Sequence, residues 1–151
     1  MGQTLAGGSH ELAAFPPIPQ KTRNGWGTWQ DGNIYVTILE VIEIREYLGL
    51  NGNHLFGDWF SRLNAEAARK VTVALYRLGL GNFSNVKGVG GGVFECRIDF
   101  GSGYRIYFGK DGEKVVILLV GGTKKRQQDD IAFAGECWLD YKKQRRSEPW
   151  R

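Results

Sequence analysis

Between Val93 and Phe100 the chain alternates strictly: Phe94, Cys96, Ile98 and Phe100 are apolar, whereas Glu95, Arg97 and Asp99 between them are charged. A period of two is that of a strand with one face on a core. The pattern resumes from Tyr104 to Phe108, with Arg105 and Tyr107 alternating against Tyr104, Ile106 and Phe108. A third strand, Lys114 to Val120, contains VVILLV and reads as central and buried, and Lys110-Asp111-Gly112-Glu113 is the hairpin signal before it. Upstream, IYVTILEVIEIREYLG from Ile34 is β-branched and partly alternating, a first strand with Glu43 and Arg45 on its polar face. After a turn at Asn51-Gly52-Asn53 the period lengthens. Leu55, Trp59 and Leu63 form the stripe of a short helix, and Asn64 then caps a second, with Val71, Ala74, Leu75 and Leu78 on one face and a stop at Gly79 or Gly81. These two helices are expected to form a hairpin. Gly88 to Gly92 reads as a glycine-rich loop allowing close backbone approach, and Gln127 to about Lys143 as a last helix with Ile131, Ala134, Trp138 and Tyr141 inward. The predicted order is β-α-α-β-β-β-α, an α+β fold with an antiparallel sheet.

The connection between the first two of the three late strands decides which side chains meet. A two-residue loop would set Arg97 opposite Ile106 and place Arg105 beside Ile98, burying a charge without a partner. A loop of odd length puts Arg97 opposite Arg105 or Tyr107, and that parity is the expectation, because a one-residue slip inverts every side chain.

Composition adds boundaries. A chain of 151 residues suits one core. Residues 1–33 are rich in Gly, Pro, Ala and polar groups, lack periodicity, and are expected to be a disordered or weakly docked tail, with Trp26 and Trp29 as docking points. A domain over 34–146 and a short tail over 147–151 follow. Cys96 and Cys137 form no CxxC pair and have no metal-ligand spacing, so neither a disulfide framework nor a structural zinc is expected. His10 and His54 are too isolated for a histidine-pair ribonuclease. No apolar run approaches about eighteen residues and no leader pattern opens the chain, so a cytoplasmic protein without a membrane partner is expected.

Twenty Lys+Arg against sixteen Asp+Glu give a formal +4, which favours an acidic partner. Arg97 and Arg105 would share a sheet face, with Lys87 approaching from the glycine-rich loop and Lys124 and Lys125 from the end of the last strand. Such a cluster repels itself unless something negative lies within it. Glu95 and Asp99 would make it a structural ion-pair network; a phosphate backbone is the alternative, with Tyr104 and Tyr107 as surfaces for an unstacked base.

The run GNFSNVKGVGGGVFECRIDFGSGYRIYFGKDGEKVVILLVGGTKKRQQDDIAFA resembles the Gp49-like, HigB-type branch of the RelE/ParE toxin superfamily, and EIREYL and GDWFSRL fit the same branch. The resemblance covers about Ile38 to Lys143 and implies the toxin of a type II toxin–antitoxin pair: a metal-independent, cofactor-free endoribonuclease that cuts messenger RNA on the ribosome, inhibits translation, and is held inactive by a HigA-type helix-turn-helix antitoxin. Arg105 in GYR matches the family's phosphate-contacting arginine, and Arg97, Tyr107 and Lys124 join it as the implied catalytic set. Lys87, Lys125, Tyr104 and Arg126 are the implied RNA-binding residues. A lysine acting as base, starting from a pKa of about 10.4, would need like-charged neighbours to lower it. The chain departs from the pattern in three places: Ile131 stands near the position of a catalytic tyrosine, Glu95 where RelE is basic, and Thr123 where close relatives are acidic. A gyrase poison of the ParE kind and a non-catalytic, antitoxin-binding relic remain as alternatives. Because the likeness begins near Val36 or Val41 and valine codons can start translation, the native amino terminus is expected there rather than at Met1.

Overall fold

The computed structural model describes residues 41–148 and, ahead of them, the backbone of two short strands, β1 (Lys21–Thr22) and β2 (Gly25–Trp26), which pair antiparallel. The rest of the expected tail, and the start expected at Val36, lie outside the described residues.

The chain forms two compact units, residues 1–38 and 39–151, and the second follows the order β3 (Glu43–Glu46), α1 (Leu55–Ser61), α2 (Ala65–Gly79), β4 (Val86–Gly90), β5 (Val93–Ile98), β6 (Tyr104–Lys110), β7 (Val115–Thr123), a 3-10 turn (Lys124–Arg126) and α3 (Gln127–Ser147). It is a mixed α+β fold on one five-stranded sheet ordered β3-β7-β6-β5-β4. Two expectations are corrected. The sheet is not wholly antiparallel, because β3 runs parallel to β7, with Glu43 beside Val115 and Glu46 beside Leu118. The glycine-rich passage is not a loop either: Val86–Gly90 is the edge strand β4, joined to β5 by Gly91-Gly92. Of the two-residue hairpin turns, the type I′ form needs positive φ at both central positions, and these glycines supply +63° and +83°.

The remaining elements follow from their local chemistry. Asn64 caps α2 by accepting from the Ala67 amide at 2.9 Å. Five residues, Asp99 to Gly103, separate the paired Ile98 and Tyr104, and this odd loop places Arg97 directly opposite Arg105. Opposite Tyr107 and Phe108 of β6, which pair with Val120 and Leu118, β7 carries Leu119 as an extra residue, so the consecutive Leu119 and Val120 both face α3.

Apolar side chains cover both faces of the sheet. Cys96, Ile98, Ile106, Phe108, Val116 and Leu118 pack with Phe56, Val71 and Leu78 of α1 and α2. On the other face Tyr107, Ile117, Leu119 and Val120 pack with Ala134, Cys137 and Trp138 of α3. Glycine allows the closest approaches. A Cβ on Gly121 would strike the Trp59 ring, one on Gly109 the Trp138 ring, and one on Gly122 the Asp130 carboxylate. Among the described residues no helix is long and apolar enough to cross a membrane.

Candidate functional site

α3 covers only part of its sheet face. Toward the β4 edge a cavity of about 250 Å³ stays open, lined by Lys87, Glu95, Arg97, Arg105 and Gln127 with Ser84 and Asn85. The alternation of β5 and β6 directs Glu95, Arg97, Arg105 and Tyr107 to this one side, with Glu95 opposite Tyr107 and Arg97 opposite Arg105.

Glu95 is the hub. Only 1% exposed, it accepts from Gln127 Nε2 through Oε2 at 2.7 Å. Its Oε1 lies 3.3 Å from Arg105 Nε and 3.5 Å from Lys87 Nζ. Arg105 is itself only 6% exposed, which places a guanidinium–carboxylate pair inside the protein wall with one edge on the cavity. The pair is close without hydrogen-bond geometry: Glu95 Oε1, Arg105 Nε, the Tyr107 hydroxyl and Asp130 Oδ2 are all buried and lack a hydrogen-bond partner. Asp130 reaches this centre because it lies over Gly122, the β7 neighbour of Arg105. Burial pushes the pKa of both Tyr107 and Asp130 upward; Glu95 and Asp130 reinforce the shift of Tyr107, while Arg126 opposes that of Asp130.

Arg97 is the accessible cation. Its side chain is 56% exposed and its Nε meets Asp99 Oδ1 at 3.1 Å, a surface pair that holds it only loosely. Lys124 is exposed in the 3-10 turn, and its amide donates to the Gly103 carbonyl at 3.0 Å. A Cβ on Gly103 would lie 3.5 Å from Lys124 Cβ and 4.0 Å from Arg105 Nη1, so Lys124 starts beside Arg105.

The fold thus brings Lys87, Arg97 and Arg105 to one cavity and sets Lys124 at its border. Lys125 and Arg126 are exposed in the same turn but do not line it. The two tyrosines depart from expectation. Tyr107 is fully buried under α3 and presents no ring to stack on. Tyr104 faces the other side of the sheet, stacked on Phe100 with its edge to Trp59. Alternation explains both, since Tyr104 shares parity with the core residues Ile106 and Phe108, and helix α3 lies over Tyr107. Ile131 is half-buried against the α3-side core. The sequence reading named Glu95 only as a possible counter-charge and missed Gln127 and Asp130. Their spacing of three in the first turn of α3 puts both on one helix face, which is the signal that was available.

Fold and site together define a class: a small α+β domain with a basic, partly neutralised cavity at one edge of its sheet. Residues 58–132, which include every lining residue of that cavity, match the family described as phage derived protein Gp49-like. An uncharacterized protein of Haemophilus influenzae is 46% identical over 80 residues, covering 52% of this chain and 81% of the relative. The chain belongs to the Gp49-like family, a family of toxin–antitoxin type.

Proposed function

We propose that this protein is the toxin of a toxin–antitoxin pair and that it acts as a metal-independent endoribonuclease on messenger RNA, in the ribosome and under control of a helix-turn-helix antitoxin. The observation that carries the reading is the shared cavity of Arg97 and Arg105 with Lys87. In the reaction the 2′-oxygen loses its proton and bonds to the adjacent phosphorus. The bond from phosphorus to the 5′-oxygen breaks, and that oxygen leaves with a proton, giving a cyclic phosphate and a free 5′-hydroxyl.

The phosphorus carries additional negative charge at the summit of this step, so fixed cations aimed at its oxygens accelerate it. Arg105, held by Glu95, is the rigid one. Arg97 swings from Asp99 to meet the ligand. Lys87 and Lys124 flank the cavity and take the binding and proton-transfer roles. Tyr107, with its pKa raised and its ring enclosed, keeps its proton and serves the wall of the site.

Arg105→Ala strands the buried Glu95 and confuses folding with catalysis, so Arg97→Ala, at an exposed position, is the cleaner variant. Induction of the parent chain should arrest growth and yield in-frame message cuts, mapped by primer extension, that vanish when translation is blocked. Arg97→Ala should lower cleavage about 100-fold with an unchanged circular dichroism spectrum. Growth arrest with intact messages and a DNA-damage response would replace this reading with a gyrase poison.

A further inference from the structure

Arg97 lines two hollows. On one side lies the cavity shared with Arg105; on the other, a cavity of about 300 Å³ opens between α2 and β5, bordered by Arg69, Lys70 and Arg77. Ser84 and Asn85 line both. The junction is the sheet edge where the Arg97 amide bonds to the Asn85 carbonyl at 3.0 Å, just before β4 begins. The two hollows therefore form one groove that passes around the edge of the sheet.

Its charge is concentrated. Across both cavities six cations face two carboxylates, Glu95 and Asp99. That excess of four equals the formal +4 of the whole chain. Among the described residues no carboxylate forms an ion pair with Arg69, Lys70 or Arg77.

We infer that this second cavity is an RNA-backbone site: a single strand leaving the Arg97–Arg105 cavity turns over the sheet edge at Asn85 and lays its next phosphates against Arg69, Lys70 and Arg77 of α2. The inference rests on the ribonuclease reading and names the path of its substrate. Arg69 and Arg77 lie about 12 Å apart along α2, at about 1.5 Å per residue, which suits successive phosphates better than one compact anion. Asn82, Ser84 and Asn85 place amide and hydroxyl groups along the rim, where ribose hydroxyls and base edges would pass. The floor, Val73, Ala74 and Ile98, is aliphatic and lacks the aromatic anchor expected for a protein partner.

The test measures binding of 2′-O-methyl oligonucleotides, which lack the attacking hydroxyl, to the full chain by fluorescence anisotropy. The parent should bind a hexanucleotide more tightly than a dinucleotide. Arg69→Gln/Arg77→Gln should weaken the hexanucleotide about 10-fold or more and leave the dinucleotide unchanged, with an unaltered melting curve. Its log–log salt dependence should flatten by about 1.4, two contacts at about 0.7 each for a single strand. Arg97→Ala should weaken both ligands. If the double variant keeps the parent's hexanucleotide affinity while Arg97→Ala still loses the dinucleotide, the α2 site is wrong and the ribonuclease reading stands. If hexaglutamate displaces the hexanucleotide at equal concentration, the groove seats an acidic protein and the RNA assignment falls. A parent chain that binds neither oligonucleotide overturns both.

Discussion

Glu95 has the strongest single-residue constraint in the site, because it compensates a buried arginine and a neighbouring lysine from inside the wall. Replacing its charge alone leaves Arg105 desolvated without a counter-ion. Glu95→Gln is therefore expected to cost about 3 kcal/mol in denaturant unfolding. Added phosphate should restore part of that loss by supplying the missing negative charge, whereas a neutral solute should not. Absence of both effects would show that Glu95 is not the counter-charge of Arg105. The cysteines give a second residue-scale expectation. Burial is the main cause that pushes the thiols of Cys96 and Cys137 up to about 11, so both stay protonated and shielded. Iodoacetamide at pH 8 should label neither in the native protein and both after unfolding, read by mass spectrometry. At this scale the sequence revealed that Arg97 and Arg105 share a sheet face, because the cost of burying a lone charge chose the loop parity, and it left Arg105 or Tyr107 as the residue opposite Arg97 until the register showed Arg105. It did not reveal that Glu95 and Arg105 are buried together. A charged residue alternating in a strand looks solvent-facing until the helix covering that face is known, and the pattern of α3, Gln127–Ser147, shows which of its own faces is apolar but not which strand it lands on.

The elements that escaped the sequence reading did so for backbone reasons. β4 is short and two of its five residues, VKGVG, are glycines, which weaken a strand pattern; the close approach to Trp138 falls on Gly92 in the turn that follows, where a Cβ would lie 2.8 Å from Trp138 Nε1. The parallel pairing of β3 with β7 depends on where the chain returns after two helices, which no local period encodes. By contrast, the cap at Asn64 and the inward face of α3 were legible because each is set within a few residues. The paired glycines after VVILLV are also explained by their neighbours. Gly121→Ala, against Trp59, and Gly109→Ala, against Trp138, should each destabilise by about 2 kcal/mol, since a packed indole cannot move aside cheaply. Gly88→Ala, with open space at its Cβ, is the internal control and should change stability little. The turn between β6 and β7 is tied to α3 by Asp111, which accepts from Tyr141 at 2.6 Å and from Arg145 at 2.8 Å. Tyr141, then Arg145, holds the Asp111 carboxyl below its ordinary pKa, and Tyr141 is itself pushed up to about 12, burial first. A depressed carboxylate stabilises the fold above its unfolded pKa and loses that contribution as pH falls through the folded value. Asp111→Asn should thus be less stable at pH 7, by under about 1 kcal/mol because Arg145 is partly exposed, and should converge on the parent below about pH 4.

At the scale of the molecule, one sheet carries two cores, and the question is whether they unfold as one. β6 gives Tyr107 to the α3 side and Ile106 and Phe108 to the α1–α2 side; β7 gives Ile117, Leu119 and Val120 to the first and Val116 and Leu118 to the second. Neither core survives without the strands that build the other, so residues 41–148 should unfold in a single transition despite the separated clusters. Trp59 reports the α1–α2 face and Trp138 the α3 face. Two variants, each keeping one of these tryptophans with the other four replaced by phenylalanine, should give unfolding curves that do not depend on which face emits, once each is referred to its own far-ultraviolet circular dichroism. Leu119→Ala, at a fully buried position on the α3 side, should then lower stability by about 3 kcal/mol when read from either tryptophan. A shift seen by Trp138 alone would mean that α3 can detach from a still-folded sheet. That outcome would also loosen the site, because the same helix brings Gln127 to Glu95 and Asp130 to the backbone beside Arg105. Coincident transitions, in contrast, mean that the wall holding Arg105 has the full stability of the domain behind it, which is the rigidity that the proposed fixed-charge catalysis requires.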